Sequence, residues 1–224
     1  MGVVVDDNIV TGTSSGVIET LAAEQDSSMN RFYSSVNEAV KHELDRLKVE
    51  EGIVPSCKAG CFQCCGQHIL INIAEAKALA HYIQREFTQS QIEDLKIRTQ
   101  EWHKWDDSRP VRPRLSEKNE QSPVYTHHYC PMLVKGMCSA YPARPVTCRS
   151  HFVSSPPPVC QPFYDPDSNK ERPVAVSSVP QVTEPFSADI RHFIKNSGLY
   201  SGSSIMPLPH WLAVEMHWDF AISP

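Results

Sequence analysis

The chain has 224 residues, and its 21 lysines and arginines against 26 aspartates and glutamates give a formal net charge of −5 at pH 7. This acidic balance argues against a nucleic-acid-binding protein, which usually carries a basic face to meet phosphates. Charged residues make up 21% and apolar residues 41% of the chain, so a disordered chain is excluded and a folded core is expected.

The first segment, residues 1–16, is rich in glycine, serine and threonine without a hydrophobic period, and we predict a flexible N terminus. It lacks the basic start and the apolar run of about 7–15 residues that a secretory signal needs. No apolar run reaches the roughly 18 residues of a membrane-spanning helix. We therefore expect a cytoplasmic protein whose cysteines stay reduced.

A hydrophobic stripe follows, with apolar residues three or four positions apart. Such spacing is typical of one face of a helix, and it predicts one or two helices over residues 17–50. Gly52 and then Pro55 are expected to end them. The stripe consists of Phe32, Val36, Val40, Leu44 and Leu47.

Two further helices are predicted from capping boxes, in which a polar residue and a glutamate three positions later satisfy the first backbone N–H groups. Asn72 with Glu75 predicts a helix over residues 73–87. Ser90 with Glu93 predicts another that extends to about Asp107. Its buried face is expected to consist of Ile92, Leu95, Thr99 and Trp102.

Prolines dominate the connections of the second half, where few positions show a hydrophobic period. Residues 108–128 are predicted to form a loop. The three prolines at 156–158 predict a stiff extended arm before Cys160. Residues 173–182 are rich in valine and are the only strand candidate, although prolines flank them.

Two short helices are predicted near the C terminus. Ser187 is the expected cap of the first, with Gly198 as its end, and Pro209 is the expected start of the second. We divide the chain into a helical cysteine-cluster domain at 17–164 and a C-terminal part at 165–224. The C-terminal part is expected to consist of a proline-rich connection and helices that pack on the same domain.

The eight cysteines carry the strongest chemical signal in the sequence. Two or three intervening residues let a turn bring two sulfurs to one ion, and clustered thiolates repel each other unless a cation holds them. Because cytoplasmic thiols stay reduced, this pattern favours metal ligation over disulfides. The predicted ligands are Cys57, Cys61, Cys64 and Cys65 in a first block, and Cys130, Cys138, Cys148 and Cys160 in a second.

The neighbours Cys64 and Cys65 raise a separate question, because adjacent side chains usually point apart. One ion would not be wrapped comfortably by both. The doublet therefore indicates two metal centres, a multinuclear cluster, or one ligand with a helper thiol. Eight thiolates also match two tetrahedral sites of four cysteines each.

The two blocks resemble the zinc- or iron-chelating cysteine-cluster family. That family carries C-x3-C-x2-C-C, then C-P-x-L, a further cysteine, Y-x-x-R-P-x-x-C-R and a last cysteine. The resemblance covers about residues 55–160 and implies metal chelation without fixing the metal or the biological task. The remaining matching positions, besides the first block, are Cys130, Cys138, Tyr141, Arg144, Pro145, Cys148, Arg149 and Cys160. Flagellin lysine methylases resemble this family in a similar cluster, which keeps an enzyme in view.

Several residues near the cysteines are candidates for supporting roles. Arg144 and Arg149 could stabilise thiolate charge through hydrogen bonds outside the ligand shell. His68 and His151 each lie three residues from a cysteine and are the histidines best placed to act as ligands, although a surface or hydrogen-bonding role is commoner. Tyr141 is interpreted as a core aromatic. The tryptophans Trp102, Trp105, Trp211 and Trp218 are also expected in the core or an interface.

We therefore predict a mainly α, small and loop-rich protein organised around a metal-binding cysteine cluster. The expected cofactor is zinc or iron, including an iron–sulfur cluster. Two alternatives stay open: an iron–sulfur or iron-dependent enzyme for redox or group-transfer chemistry, and a zinc-stabilised module that binds a protein partner. The sequence has no glycine-rich phosphate loop and no Gly-x-Ser-x-Gly motif.

Overall fold

The structure, a computed structural model, describes residues 14–58, 60–108, 128–163, 173–196 and 205–221, with side chains described from residue 28 to residue 160 and again from residue 173. The fold is mainly helical, as predicted. The helices are α1 (Ser14–Arg46), α2 (Ile73–Glu86), α3 (Gln89–Ser108), α4 (Val146–Ser150), α5 (Pro157–Phe163), α6 (Ser178–Asn196) and α7 (Leu208–Glu215). The strands are β1 (Leu70–Asn72), β2 (Leu133–Val134), β3 (Met137–Cys138) and β4 (Ile205–Pro207).

Helix α1 follows the predicted hydrophobic stripe. Val36, Val40 and Leu47 of the stripe are buried. A wider helical turn, Leu47–Glu51, continues the helix, and Gly52 closes it in the left-handed conformation at φ +67°, with its N–H donating to the Leu47 carbonyl. The predicted end at Gly52 is confirmed, whereas most of the predicted flexible N terminus lies outside the described residues.

The capping box of α2 is present as predicted. The Asn72 side chain accepts from the Glu75 N–H at 3.0 Å, and the Glu75 side chain accepts from the Asn72 N–H. The predicted cap of α3 is wrong. Thr88 caps it instead: its hydroxyl accepts from the Gln91 N–H, and the Gln91 side chain accepts from the Thr88 N–H at 2.8 Å. Gln is as competent as Glu in this motif, so a box two residues earlier was available.

Three predictions for the second half are wrong. The three prolines do not form an extended arm, because Pro157 begins α5 and a proline is tolerated in the first turn of a helix. Ser187 does not cap a helix but lies inside α6, which begins at Ser178 and passes through Pro185. Residues 173–182 do not form a strand: Ala175 makes an isolated bridge to Val153, and the helix then begins.

The last helix begins at Leu208, one residue before its predicted start, and ends at Glu215. Trp218 therefore lies beyond the helix, although it is buried as expected. The predicted end of α6 at Gly198 and almost all of the loop predicted at 108–128 lie outside the described residues.

Two short antiparallel ribbons hold loops against the helices. In the first, β1 pairs with β4, and Ile71 lies opposite Met206. In the second, β2 and β3 form a hairpin whose two turn residues have positive φ, 51° at Lys135 and 78° at Gly136. A two-residue turn of this kind matches the twist of the strands and favours glycine. This hairpin, which was not predicted, places Cys138 beside the chain segment of Cys130.

The helices bury two apolar clusters. In one, α6 and α4 pack against α1 around Val36, Val179 and Ile190. In the other, α7 packs against α2 and α3 around Leu95 and Leu212. Cys130, Cys138 and Cys148 lie along the margin of the second cluster, so helix packing fixes where these thiols meet. Within the described ranges, no helix is both long and apolar enough to cross a membrane.

Candidate functional site

The segment of Cys57 is tied to the start of the α4–α5 connection. The Ser56 N–H donates to the Val153 carbonyl at 2.9 Å, and the Val153 N–H donates to the Cys57 sulfur at 3.4 Å. Cys160, on α5, packs with Val153 in a small apolar cluster that Cys57 and Cys64 complete. Cysteines about a hundred positions apart in sequence therefore share one neighbourhood.

The doublet Cys64–Cys65 lies in a single turn of 3-10 helix, Gln63–Gly66. The Cys65 N–H donates to the Phe62 carbonyl at 2.8 Å, which sets the turn. The Cys65 carbonyl in turn accepts from the Cys130 N–H at 2.8 Å. This last bond joins the two cysteine blocks directly at the doublet.

The remaining thiols of the second block come from three different elements. Cys130 lies just before the β2–β3 hairpin, Cys138 ends it, and Cys148 lies in α4 behind Pro145. All three pack on the cluster around Leu95 and Leu212. All eight cysteines are free, and only Cys160 is fully buried.

The electrostatic contacts sort the eight thiols into two sets. The charges of Cys57, Cys61 and Cys64 all raise the pKa of Cys160, and those of Cys61 and Cys64 raise the pKa of Cys57. Burial is the largest cause of the raised pKa values of Cys130 and Cys148, and the charge of Cys138 raises both further. The charge of Cys130 raises the pKa values of Cys65 and Cys148, and Cys64 raises those of Cys65, Cys130 and Cys148. The first thiol set is Cys57, Cys61, Cys64 and Cys160, and the second thiol set is Cys65, Cys130, Cys138 and Cys148.

Cys64 is where the two sets meet. Its pKa is lowered to about 7, first because the Cys65 thiol donates a hydrogen bond to it, and also because Arg144 is near. The pKa of Cys65 is raised correspondingly. The two thiols of the doublet therefore influence each other's protonation, and all three interpretations of the doublet stay open.

Burial governs the protonation of most other thiols. It raises the pKa of Cys130 to about 12 and holds those of Cys138 and Cys148 above their ordinary value. At neutral pH these thiols are neutral unless a cation stabilises the thiolate form. Ligation would therefore release protons.

The donor chemistry favours a bound metal, whereas the positions of the described side chains do not form a ligand shell. Eight free thiols, seven of them half-buried and one buried, are the donors that zinc and iron–sulfur clusters take. In the described part of the chain, however, no group of three or more His, Cys, Asp or Glu side chains is arranged so that it could hold a metal ion. The two thiol sets are therefore neighbourhoods, and ligation would need their side chains to close in.

Arg144 lies beside the second thiol set. Its charge lowers the pKa values of Cys138 and Cys148 as well as that of Cys64. Its guanidinium carbon lies 3.5 Å from the centre of the Tyr141 ring, and its Nε donates to the Tyr141 carbonyl. The prediction that Tyr141 is a core residue is wrong, since it is 55% exposed. The pair forms an exposed cationic edge to the site.

Arg149 is buried and is engaged away from the sulfurs. Its guanidinium donates to the carbonyls of Arg144 and Pro142 and to the Asn37 side chain, and it lies over the Tyr33 ring at 4.2 Å. These bonds fasten the 3-10 turn Tyr141–Ala143 to α1 and α4. Arg149 thereby fixes the position of its neighbour Cys148.

Glu75 has a second role that the capping pattern did not reveal. Its Oε1 accepts from the Val146 N–H at 2.8 Å, so the residue that caps α2 also holds the first turn of α4. Burial raises its pKa. A capping box predicts only local bonds, and a partner 71 positions away leaves no trace in the sequence.

A buried histidine cluster lies between α3 and α7, and it was missed. The His210 Nε2 donates to Asp106 at 2.9 Å, and the other carboxylate oxygen of Asp106 lies 3.7 Å from the His68 Nε2. The His103 Nε2 donates to the Pro209 carbonyl at 3.0 Å. Asp106 continues the buried face of α3 four positions after Trp102, and a charge on an apolar face was the available signal.

The histidines named beside the cysteines thus have different settings. His68 lies within the histidine cluster and contacts the rings of Trp102 and Trp105. His151 is half-buried, and burial lowers its pKa. The expected burial of Trp102, Trp211 and Trp218 is confirmed.

Comparisons with protein-family models, with curated proteins and with solved structures each gave no match to this chain. The resemblance to the cysteine-cluster family therefore rests on the motif residues, and the functional argument rests on the site.

Proposed function

We propose that this protein binds zinc or iron through its two thiol sets, with Cys57, Cys61, Cys64 and Cys160 in the first and Cys65, Cys130, Cys138 and Cys148 in the second. The observation that carries the proposal is the convergence of eight free cysteines from five separate segments on two adjoining neighbourhoods. Helix packing alone does not explain this convergence of cysteines. Apolar side chains would fill the same positions without introducing reactive thiols.

The chemistry of ligation follows from the positions of the thiols. A bound metal supplies charge that offsets the mutual repulsion of the thiolates and links the loops that carry them. Cys64 reaches the thiolate form most readily, since its pKa is about 7. Arg144 supports negative charge in the second thiol set, while Arg149 and Glu75 hold the backbone around Cys148 in place.

Metal content and the absorption spectrum of protein purified without oxygen, and without a metal-binding tag, test the proposal. About two zinc per chain and no visible absorption would indicate closed thiolate sites. Iron with acid-labile sulfide and a broad band near roughly 400 nm would indicate an iron–sulfur cluster and favour an enzyme. Protein that lacks both metals and takes up neither from solution would overturn the proposal.

Cysteine variants test whether the clustered thiols bind the metal. Cys61→Ser and Cys64→Ser should lower metal content and the free energy of unfolding together, because thiolate ligation of zinc contributes roughly 10–16 kcal/mol in zinc-finger peptides. Ser56→Ala is the matched control, since it changes a hydroxyl beside Cys57 that bonds to the Val153 and Ser155 carbonyls. Unchanged metal content in both cysteine variants would contradict the assignment of the first thiol set.

A second candidate function, a metal-stabilised module that binds a protein partner, is favoured by one observation. The segment that carries Cys130 and Cys138 also exposes apolar side chains, with Met137 at 62% and Tyr129 at 41%. Exposed apolar groups on metal-held loops are a common form of contact surface. Met137→Glu should abolish partner capture without changing metal content if this function is correct, and retained capture would count against it.

A further inference from the structure

A cavity of about 500 Å³ lies between α6, the first turn of α4 and the β1–β4 ribbon. This volume falls within the range of small-molecule sites, roughly 300–1,000 Å³. Its floor is apolar, because Ile71, Val146, Ile190 and Ile194 all line it and are buried. An apolar chain of several carbons would find contacts here that water does not provide.

The mouth of the cavity is cationic. Arg191 and Lys195 lie four positions apart on α6, line the cavity and are exposed. Arg191 makes an ion pair with Glu184 at 2.9 Å. Lys195 makes no ion pair within the described residues, so its charge is available to a ligand.

The one acidic side chain in the lining does not compete for that role. Glu75 lies at the buried end of the cavity, where its oxygens accept from the Val146 N–H and the Asn72 side chain. Burial raises its pKa, and Arg149 lies near enough to offset its charge. A cationic ligand would have to displace these bonds, whereas an anionic group at the mouth would displace water at Lys195 and compete only with the exposed Glu184 at Arg191.

We propose that this cavity binds a small amphipathic anion, with an aliphatic body on the isoleucine floor and a carboxylate or other monoanionic head at Lys195 and Arg191. The inference does not rest on metal binding, because no cysteine lines the cavity. It adds a ligand site to a chain whose cysteine motif points only to metal.

Calorimetric titration of the full chain with octanoate, octan-1-ol and octylammonium tests the charge preference, since the three probes share a body and differ in the head. Octanoate should bind about threefold to tenfold more tightly than octan-1-ol, the range expected for exposed ion pairs. Raising the salt concentration should remove this advantage. Equal binding of octanoate and octylammonium, or no binding of octanoate at millimolar concentration, would overturn the proposal.

Variants locate the site. Lys195→Met should weaken octanoate binding severalfold and leave octan-1-ol binding unchanged, while Lys104→Met, an exposed lysine of α3, should change neither. Ser187→Trp fills the cavity from α6 and should abolish binding of all three probes, whereas Ala188→Trp, on the exposed face of the same helix, should retain it.

Thr147→Phe fills the cavity from α4 and provides a second blocked variant should Ser187→Trp fail to fold, which melting curves would reveal. Folded, blocked variants that still bind octanoate would place the ligand elsewhere and refute the assignment. Metal content, measured on the same samples, keeps this result separate from the test of the thiol sets.

Discussion

At the scale of single residues, Glu75 links the start of α2 to the first turn of α4. Its two oxygens accept from backbone or side-chain N–H groups of Asn72 and Val146, so both face donors. Glu75→Gln keeps the shape but turns an NH₂ group toward one of these donors. We expect a loss of about 1–3 kcal/mol in the free energy of unfolding, measured by urea denaturation, because a buried donor would be left without an acceptor.

The exposed Glu93→Gln on α3 is the matched control and should change the unfolding free energy by less than about 0.5 kcal/mol. If the two variants were equally stable, the bond from Val146 to Glu75 would contribute nothing. The capping half of the Glu75 interaction was predictable from the spacing to Asn72. Its contact with α4 was not, because it depends on how two distant segments pack.

Burial of His103 should make the free energy of unfolding depend on pH. Burial lowers its pKa below the ordinary value of 6.5, so the unfolded chain binds a proton more readily than the folded one. Stability should therefore rise with pH through this region and be lost as pH falls below about 6.5. His103→Gln keeps a donor for the Pro209 carbonyl without a titrating ring, and urea denaturation at pH 7 and 5.5 should show a shallower loss for the variant.

His151 has a pKa shifted in the same direction by burial, so His103→Gln removes only part of the dependence. His42→Gln, which changes an exposed histidine of α1, is the matched control. An unchanged slope in His103→Gln would show that its ring is not held neutral by the fold.

At the scale of elements, the start of α3 shows which of two candidate residues caps the helix. Thr88 and Gln91 bond reciprocally, whereas Ser90, the cap predicted from sequence, lies one residue inside the helix. Thr88→Ala should lower the free energy of unfolding by about 1 kcal/mol, within the range of cap deletions. Ser90→Ala, an equally exposed neighbour, should be neutral or slightly stabilising, and chemical denaturation of both variants checks the order.

The elements differ in how much of them a sequence reveals. The apolar stripe of α1 and the box of α2 are local patterns, and both predicted their helices closely. Helix α6 was predicted to begin at Ser187 and in fact begins at Ser178, where buried Val179, Thr183, Ile190 and Ile194 stabilise it by packing. Tertiary burial outweighs local propensity there.

Some features of the candidate site were likewise predictable from the sequence, and others were not. The eight thiols were evident from spacing, but their sorting into two sets depends on α5, whose proline-rich start concealed a helix that carries Cys160. The hairpin that presents Cys138 was equally hidden, because its turn is only Lys135 and Gly136. Tyr141 was wrongly predicted to lie in the core, because its ring packs against Arg144 at the surface.

At the scale of the whole molecule, the two thiol sets make a prediction about the number of metal centres. Among the described residues, Cys160 packs with Cys57 and Cys64, whereas Cys138 acts on Cys130 and Cys148. If the sets bind metal separately, Cys160→Ser and Cys138→Ser should each lose about one of two metal equivalents and keep the other, because each closed tetrahedral site needs its own four ligands. Elemental analysis of the two purified variants, with Thr147→Ala as the control beside Cys148, measures this directly.

A single multinuclear cluster gives a different pattern, in which either variant loses all of the metal, because Cys64 and Cys65 join the sets through their hydrogen bond. Separate centres also imply separate contributions to stability. Each variant should then retain a chelator-sensitive melting transition, since the remaining metal still binds the folded state preferentially. Complete loss of metal in both variants, with no effect of a chelator on melting, would indicate one shared site instead of two separate centres.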